Sequence, residues 1–315
     1  MKTVLLPLAL LISSADPDPQ ASFRAGKFAE AESVCVSQLN SYDSILLCGR
    51  IALVSNRLRD AESWLSKAHE MRPDAREPES LLAEVYYRSD RLLEAGALRR
   101  NVGGDAVARQ LESFKGLVPY QIQWPAPVVR VPFIDTDPLP LIAVRVNDSE
   151  EVNLLIDTGG AELILDTEYA KRVGAVLFGH EARTFGGGKK AAVEFGRVGS
   201  VRLGDQRAAL EVKNVPVHVM STRPFSAAAH GKRMDGVLGT VFLYHFLFTL
   251  DYPKGELVLR PRSALSPGAG AIEIPFWMTG IISWSPEAPP TGAPEHCSSW
   301  TPERLVPASL GRSRS

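Results

Sequence analysis

The sequence predicts a chain in two parts, an all-helical first part followed by a mainly-β second part. Three observations predict it. Apolar residues recur at helical spacing between residues 20 and about 112, as in Ala29-Ala31-Val34-Val36-Leu39 and Ile45-Leu46-Ile51-Leu53. Beyond Gly116, six prolines (Pro119, Pro125, Pro127, Pro132, Pro138 and Pro140) interrupt short apolar runs, the pattern of a linker turning into edge strands. Val128-Val129-Arg130-Val131 and Leu141-Ile142-Ala143-Val144-Arg145-Val146 then read as strands. The 315 residues are enough for two domains, and a hydrophobic content of 45% supports real cores. A formal net charge of −1 argues against a nucleic-acid partner. Six His and three Cys are scattered without metal-ligand spacing, so neither a metal nor another cofactor is expected.

At the N-terminus, Met1-Lys2 precedes an apolar stretch to Ile12, then Ser13-Ser14-Ala15 and the helix-breaking Asp16-Pro17-Asp18-Pro19. That pattern predicts a signal peptide over 1–15, cleaved after Ala15, and hence export to the periplasm or the medium. An uncleaved anchor fits the same residues. In an oxidising space Cys35 and Cys48 have the option of pairing, and two separately buried thiols fit the pattern equally well.

Residues 20–112 carry a repeated phrase. Lys27-Phe28-Ala29-Glu30-Ala31-Glu32, Arg57-Leu58-Arg59-Asp60-Ala61-Glu62 and Arg91-Leu92-Leu93-Glu94-Ala95 are variants of one another. Ala61 and Ala95 are 34 residues apart, and Ala31 and Ala61 are 30 apart. The longer period, with Gly49 where two helices cross and Pro73 closing the second, resembles the tetratricopeptide repeat. The resemblance implies two to three stacked helical pairs with a concave face for a protein or peptide. A helical spacer packed on the next domain fits as well. Residues 113–126 are expected as a linker.

The second part is organised around Val152-Asn153-Leu154-Leu155-Ile156-Asp157-Thr158-Gly159-Gly160-Ala161. An apolar strand ends in a carboxylate, which is costly to bury unless something pairs or uses it. Thr and Gly after it suit a tight turn. Eighty residues beyond Asp157 comes Val237, in Met234-Asp235-Gly236-Val237-Leu238-Gly239-Thr240-Val241-Phe242-Leu243. The two stretches, in this order, resemble the active-site loop and the apolar-Gly element beneath it in retropepsin-like aspartic proteases. Residues 127–262 are accordingly expected to form a retropepsin-like acid protease barrel.

The resemblance implies roles. Asp157, Thr158 and Gly159 are the expected catalytic loop, with Gly160 standing where many members have Ala. Gly160 and Ala161 are expected to line the substrate, as are Phe185, Gly186, Gly187 and Gly188, the tip of a hairpin at the flap position. A surface hairpin without that duty fits the same glycines, and a phosphate loop does not, since Lys189 is followed by Lys190 rather than Ser or Thr. Asp235, Gly236, Val237, Leu238 and Gly239 are expected to support the site. Separate strands are expected at 197–203, 208–212 and 215–220, a helix at 166–173, and a closing hairpin around Pro253-Lys254-Gly255.

Hydrolysis by this route needs two carboxylates and no metal. The sequence holds one Asp-Thr-Gly, so the resemblance implies a homodimer in which each chain contributes Asp157, acting on a peptide or protein substrate. The competing expectation is an inactive module in which the same fold and the helical repeats only bind a partner. Residues 263–315 lose periodicity and are expected to be disordered. A truncated second protease-like unit is another reading of that change in composition.

Overall fold

The structure is a computed structural model, and it describes residues 18–137, 139–184, 190–205, 208–222, 232–263 and 277–278. Residues 1–17, with the expected signal segment, residues 185–189, expected as a hairpin tip, and most of the stretch after 263 lie outside the described residues.

Among the described residues, seven helices come first: α1 (Pro19–Arg24), α2 (Phe28–Ser37), α3 (Tyr42–Val54), α4 (Leu58–Met71), α5 (Arg76–Arg88), α6 (Leu92–Asn101) and α7 (Asp105–Glu112). Each copy of the repeated phrase opens a helix, namely α2, α4 and α6. The turns before α2, α4, α6 and α7 share one geometry. A left-handed residue (Gly26, Asn56, Asp90 or Gly103) follows the previous helix. The next amide then returns to a carbonyl five residues back, as in Arg57 N to Ala52 O at 2.8 Å and Arg91 N to Tyr86 O at 2.9 Å. Those bonds satisfy carbonyls that a helix end leaves open. The basic residue opening one phrase also pairs with the acid closing the previous one: Arg57 with Glu32, and Arg91 with Glu62 at 2.7 Å.

A Cβ at Gly49 would come within 2.6 Å of Leu65 Cδ2, so α3 and α4 cross closely there, as expected from the sequence. Cys35 and Cys48 form a disulfide between α2 and α3, with Cα atoms 5.7 Å apart. It sits in a small core with Phe28, Ala31, Leu47 and Ile51. Replacing both cysteines by Ser is expected to cost this helical part about 3 kcal/mol, the loss for opening so short a loop. Urea unfolding of oxidised and double-mutant protein checks it.

The second part contains β1 (Gln121–Gln123), β2 (Val129–Asp135), β3 (Leu141–Val146), β4 (Val152–Ile156), β5 (Ile164–Leu165), α8 (Thr167–Arg172), β6 (Val176–Thr184), β7 (Lys190–Leu203), β8 (Leu210–Val219), β9 (Gly236–Leu238), α9 (Thr240–Leu243), β10 (Phe246–Asp251) and β11 (Glu256–Pro261). Six strands close into a barrel in the order β3-β4-β9-β5-β8-β7, because β7 pairs with β3 through Val144↔Leu203 and Val146↔Val201. The β10–β11 hairpin extends the sheet through β2, and β6 extends it beside β7. Alternating residues of these strands, among them Ile142, Val144, Leu154, Ile156, Val201 and Leu203, fill the interior.

Two local expectations change. The strands expected at 208–212 and 215–220 are one strand, β8. Asn214 takes φ +55° within it and β8 continues past. Both sides explain this: β7 pairs across the irregularity, and β1 pairs with 211–213 from the other edge. Residues 113–126, expected as a linker, therefore carry a strand and two buried side chains, Phe114 and Tyr120. In the C-terminal stretch, Met278 N donates to Val54 O at 2.8 Å, and the Trp277 ring lies 5.5 Å from that of Phe28.

The helices pack against the barrel. Leu92, Ala95, Val107 and Leu111 share a core with Val193, Phe195 and Met220. Gln110 Nε2 donates to two barrel carbonyls, Gly196 O at 2.7 Å and Val217 O at 3.0 Å. A buried amide that finds two acceptors fixes orientation as well as contributing stability. Tyr244 Oη donates to Arg88 O at 3.3 Å, and His245 Nε2 lies 3.0 Å from Asp90 Oδ1.

Candidate active site

Residues 147–151 join β3 to β4, and the connection opens on a turn at Asn147 and Asp148, both left-handed, closed by Ser149 N on Val146 O at 3.0 Å. A turn whose two central residues take positive φ matches the twist of the strands beside it. Strand β4 then runs through the core and delivers Asp157 at its end. The Asp157 amide is held by Leu238 O at 3.1 Å. Its side chain turns back, and Oδ1 accepts from Gly159 N at 2.8 Å. The turn closes with Gly160 N donating to Asp157 O at 3.2 Å. Asp157 is partly exposed, and Thr158 and Gly159 are exposed. The carboxylate is thus aimed by the backbone and open to water.

The second apolar-Gly stretch lies directly beneath. β4 and β9 are parallel, with Leu154↔Gly236 and Ile156↔Leu238. Gly239 touches the loop so closely that a Cβ there would lie 2.4 Å from Glu162 O and 2.6 Å from Ala161 O. Thr240 completes the clamp. Its amide donates to Gly160 O at 2.8 Å, and its hydroxyl lies 2.9 Å from both Thr158 O and Gly160 O. Val241 N donates to Ala161 O at 2.8 Å. Asp157, Thr158, Gly159, Gly160, Ala161, Val237, Leu238 and Gly239 therefore form one assembly. A Cβ on Gly160 would approach Asp157 Oδ2 to 3.1 Å, so the absent methyl leaves the carboxylate room.

Asp235 stands apart from Asp157. It is level with Asn153, four residues back along β4, roughly 13 Å from the loop at 3.3 Å per residue. Its Oδ1 accepts from Arg233 Nε at 2.7 Å and its Oδ2 from Asn153 N at 3.3 Å, so it braces the base of β4. Asp166 lies at that same end: its amide donates to Asp235 O, its Oδ1 caps α8 through Glu168 N, and its Oδ2 accepts from Thr222 N at 3.0 Å. Phe185, Gly186, Gly187 and Gly188 fall outside the described residues.

Two contributors were not legible in the sequence. Thr240 was visible only as the residue following Gly239. Glu162 carried no signal at all. It is buried at the far end of the loop, where its Oε2 accepts from Tyr87 Oη of α5 at 2.6 Å. A small cavity there is lined by Glu84, Tyr87, Arg99, Gln110, Glu162 and His218 together with Val107 and Leu111. Burial pushes Glu162 up to about 7, against the Tyr87 hydrogen bond, with the Glu84 charge adding to the rise and Arg183 and Arg99 opposing it. Burial, and then the Arg183 charge, hold His218 down to about 3.

These two groups give the fold opposed pH slopes. Glu162, with a folded pKa above its free value of 4.5, contributes fully below that value, and the contribution fades as pH rises through about 7. His218, depressed from 6.5, contributes above 6.5 and loses its contribution as pH falls toward about 3. Stability is expected to be flattest between the two free values. Relative to wild type, Glu162→Gln should gain stability as pH rises from about 5 to about 8, and His218→Gln as it falls from about 6 to about 3. Denaturant titrations across pH read both.

Residues 142–242 match the family model described as aspartyl protease. Comparison with curated proteins finds no match. Among solved structures, a retropepsin-like aspartic protease from Rickettsia conorii aligns at 22% identity over 45% of this chain and 94% of that one, with a TM-score of 0.30. The retroviral protease-like domain of Ddi1 from Leishmania major aligns at 15% identity over 40% and 96%, with a TM-score of 0.23. EIAV protease, solved with the inhibitor HBY-793, aligns at 21% identity over 32% and 80%, with a TM-score of 0.19. The segment similar to that family model lies within the β part of the chain.

Proposed function

We propose that the chain is an aspartic endopeptidase, active as a homodimer in which two Asp157 carboxylates hold one water between them. The observation that carries this reading is the Asp157 carboxylate itself. It is aimed by Gly159 N–H, open to solvent, and seated on the Gly239–Thr240 clamp inside the matched segment. Asp166 and Asp235 are occupied at the opposite end of β4, so the second carboxylate comes from a second chain.

Two carboxyl groups at close range share a proton, because both cannot ionise easily. The ionised Asp157 takes a proton from the water as its oxygen attacks the scissile carbonyl carbon. The protonated Asp157 donates to the carbonyl oxygen, giving a neutral gem-diol. The newly protonated Asp157 then gives its proton to the amide nitrogen while the other, now ionised, takes a proton from a gem-diol hydroxyl; the C–N bond breaks, amine and carboxylic acid leave, and the pair again holds one proton. Thr158 braces the two loops against each other. Gly160, Ala161, Phe185 and Gly186–Gly188 line and cover the substrate. The tetratricopeptide-like helices recruit the substrate or a protein partner, and the chain is exported, in keeping with the Cys35–Cys48 bond, since such bonds persist in oxidising compartments.

The test couples assembly to rate. Sedimentation equilibrium gives the dimer fraction at each concentration, and peptide hydrolysis is measured on the same samples. Specific activity that follows the dimer fraction supports the shared site. Hydrolysis by the monomer alone rejects it. The second reading, an inactive binding module, rests on one observation, that Asp166 and Asp235 are both engaged at the end of β4 away from Asp157. A stable dimer that hydrolyses nothing favours it.

A further inference from the structure

Loop 157–162 is held at two places. Upstream, β4 and Leu238 O fix Asp157. Downstream, the backbone at Ala161 and Glu162 lies on Gly239, but the Glu162 side chain leaves the barrel altogether. It enters the cavity between the helices and the barrel and takes a 2.6 Å hydrogen bond from Tyr87. Glu162 is 7% exposed, in a setting where a polar contact is strong and a lost one expensive. Tyr87 is itself anchored, one residue before Arg88, whose guanidinium bonds Glu84 at 2.9 Å and Leu53 O at 3.1 Å. A rigid, buried line therefore runs from the helical core through Tyr87 and Glu162 to the loop carrying Asp157.

We propose that Glu162 is a positioning residue that ties the catalytic loop to the helical part, with the Tyr87 hydroxyl as the knot. The proposal rests on the reading of Asp157 as the working carboxylate. It gives the helices a second role beside recruitment, since any ligand that shifts α5 moves the loop. Titratable groups face Glu162 from four elements, Glu84 on α5, Arg99 on α6, Arg183 on β6 and the neutral His218 on β8, while α7 brings Val107, Gln110 and Leu111. Ionising the buried carboxyl costs solvation that outweighs the stronger hydrogen bond Tyr87 would then give, so Glu162 is held in the cavity most firmly while protonated, and the hold weakens as pH rises from 4.5 through about 7.

The experiment is hydrogen exchange on the full chain, read as protection factors of the Asp157, Gly159 and Gly160 amides, which removes the intrinsic pH dependence of exchange. Peptide hydrolysis is measured in parallel. Tyr87→Phe should lower those protection factors about tenfold, the effect of one lost buried hydrogen bond. It should also lower kcat with KM little changed. Wild-type protection should fall between about pH 5 and 7. Glu162→Gln keeps an acceptor for Tyr87 but does not ionise, so its protection should stay level across that range. Unchanged loop protection in folded Tyr87→Phe overturns the proposal. Should Tyr87→Phe fail to fold, Glu162→Gln decides alone: level protection supports the tie, and a wild-type pH dependence overturns it. Wild-type protein without peptidase activity counts against the hydrolytic reading, and the protection factors still decide the tie.

Discussion

Asp157→Asn is expected to lower peptide hydrolysis by about 10³-fold or more, the scale of a lost acid–base group. The substitution keeps the acceptor oxygen that Gly159 N–H uses at 2.8 Å, so the loop should keep its shape. What it removes is the ability to take a proton from water. A mixing experiment separates a shared site from a monomeric one. In an equimolar, fully exchanged mixture of wild type and Asp157→Asn, about one dimer in four carries two Asp157 side chains. Activity near a quarter of the wild-type sample indicates that both carboxylates are required. Activity near one half indicates that each chain works alone and would sink the homodimer mechanism. Equal activity in pure mutant and pure wild type would point to a contaminant.

Gly236→Ala is expected to cost about 3 kcal/mol or more of stability, the upper range for overpacking a core. The added Cβ would lie 2.2 Å from Ile164 O and 2.8 Å from Leu154 Cδ2. The leucine can give way by a rotamer change. The carbonyl cannot, because Ile164 is locked between β9 and β8. Relief means separating β5 from β9, and β9 is the platform under Asp157. Gly103→Asn makes the contrast. Gly103 sits at φ +94° with nothing within 4 Å of a Cβ, and Asn accepts left-handed backbone, so the cost should be below about 1 kcal/mol. Chemical denaturation of the three proteins measures both. A Gly236→Ala loss no larger than that of Gly103→Asn would mean that β5 can move away from β9 at little cost.

Much of the site was legible because its signals are local. An apolar run ending in Asp-Thr-Gly describes a strand and its turn, and Asn147-Asp148 is the sort of pair that accepts two left-handed residues in a row. The three repeated phrases announce helix starts because Lys27, Arg57 and Arg91 each follow a residue that can adopt positive φ. Gly49 and Gly239 could be singled out because a missing side chain is itself a packing instruction. Strand β8 shows the opposite case. Its middle, Lys213-Asn214, reads as a turn, and only pairing with β7 and β1 on its two edges carries the strand through.

By itself the sequence determined the helical first part, most of the barrel strands, the loop bearing Asp157 and the Gly236–Gly239 stretch, all through periodicity and turn chemistry within a few residues. The tertiary structure alone decided that Asp235 and Asp166 lie at the end of β4 away from Asp157, since strand register is a long-range choice. It also decided that Glu162 meets Tyr87, 75 residues earlier, across the buried face between helices and barrel. No local pattern encodes that contact. The energy of a buried carboxyl depends on what surrounds it in space, and those surroundings exist only once both parts have folded together.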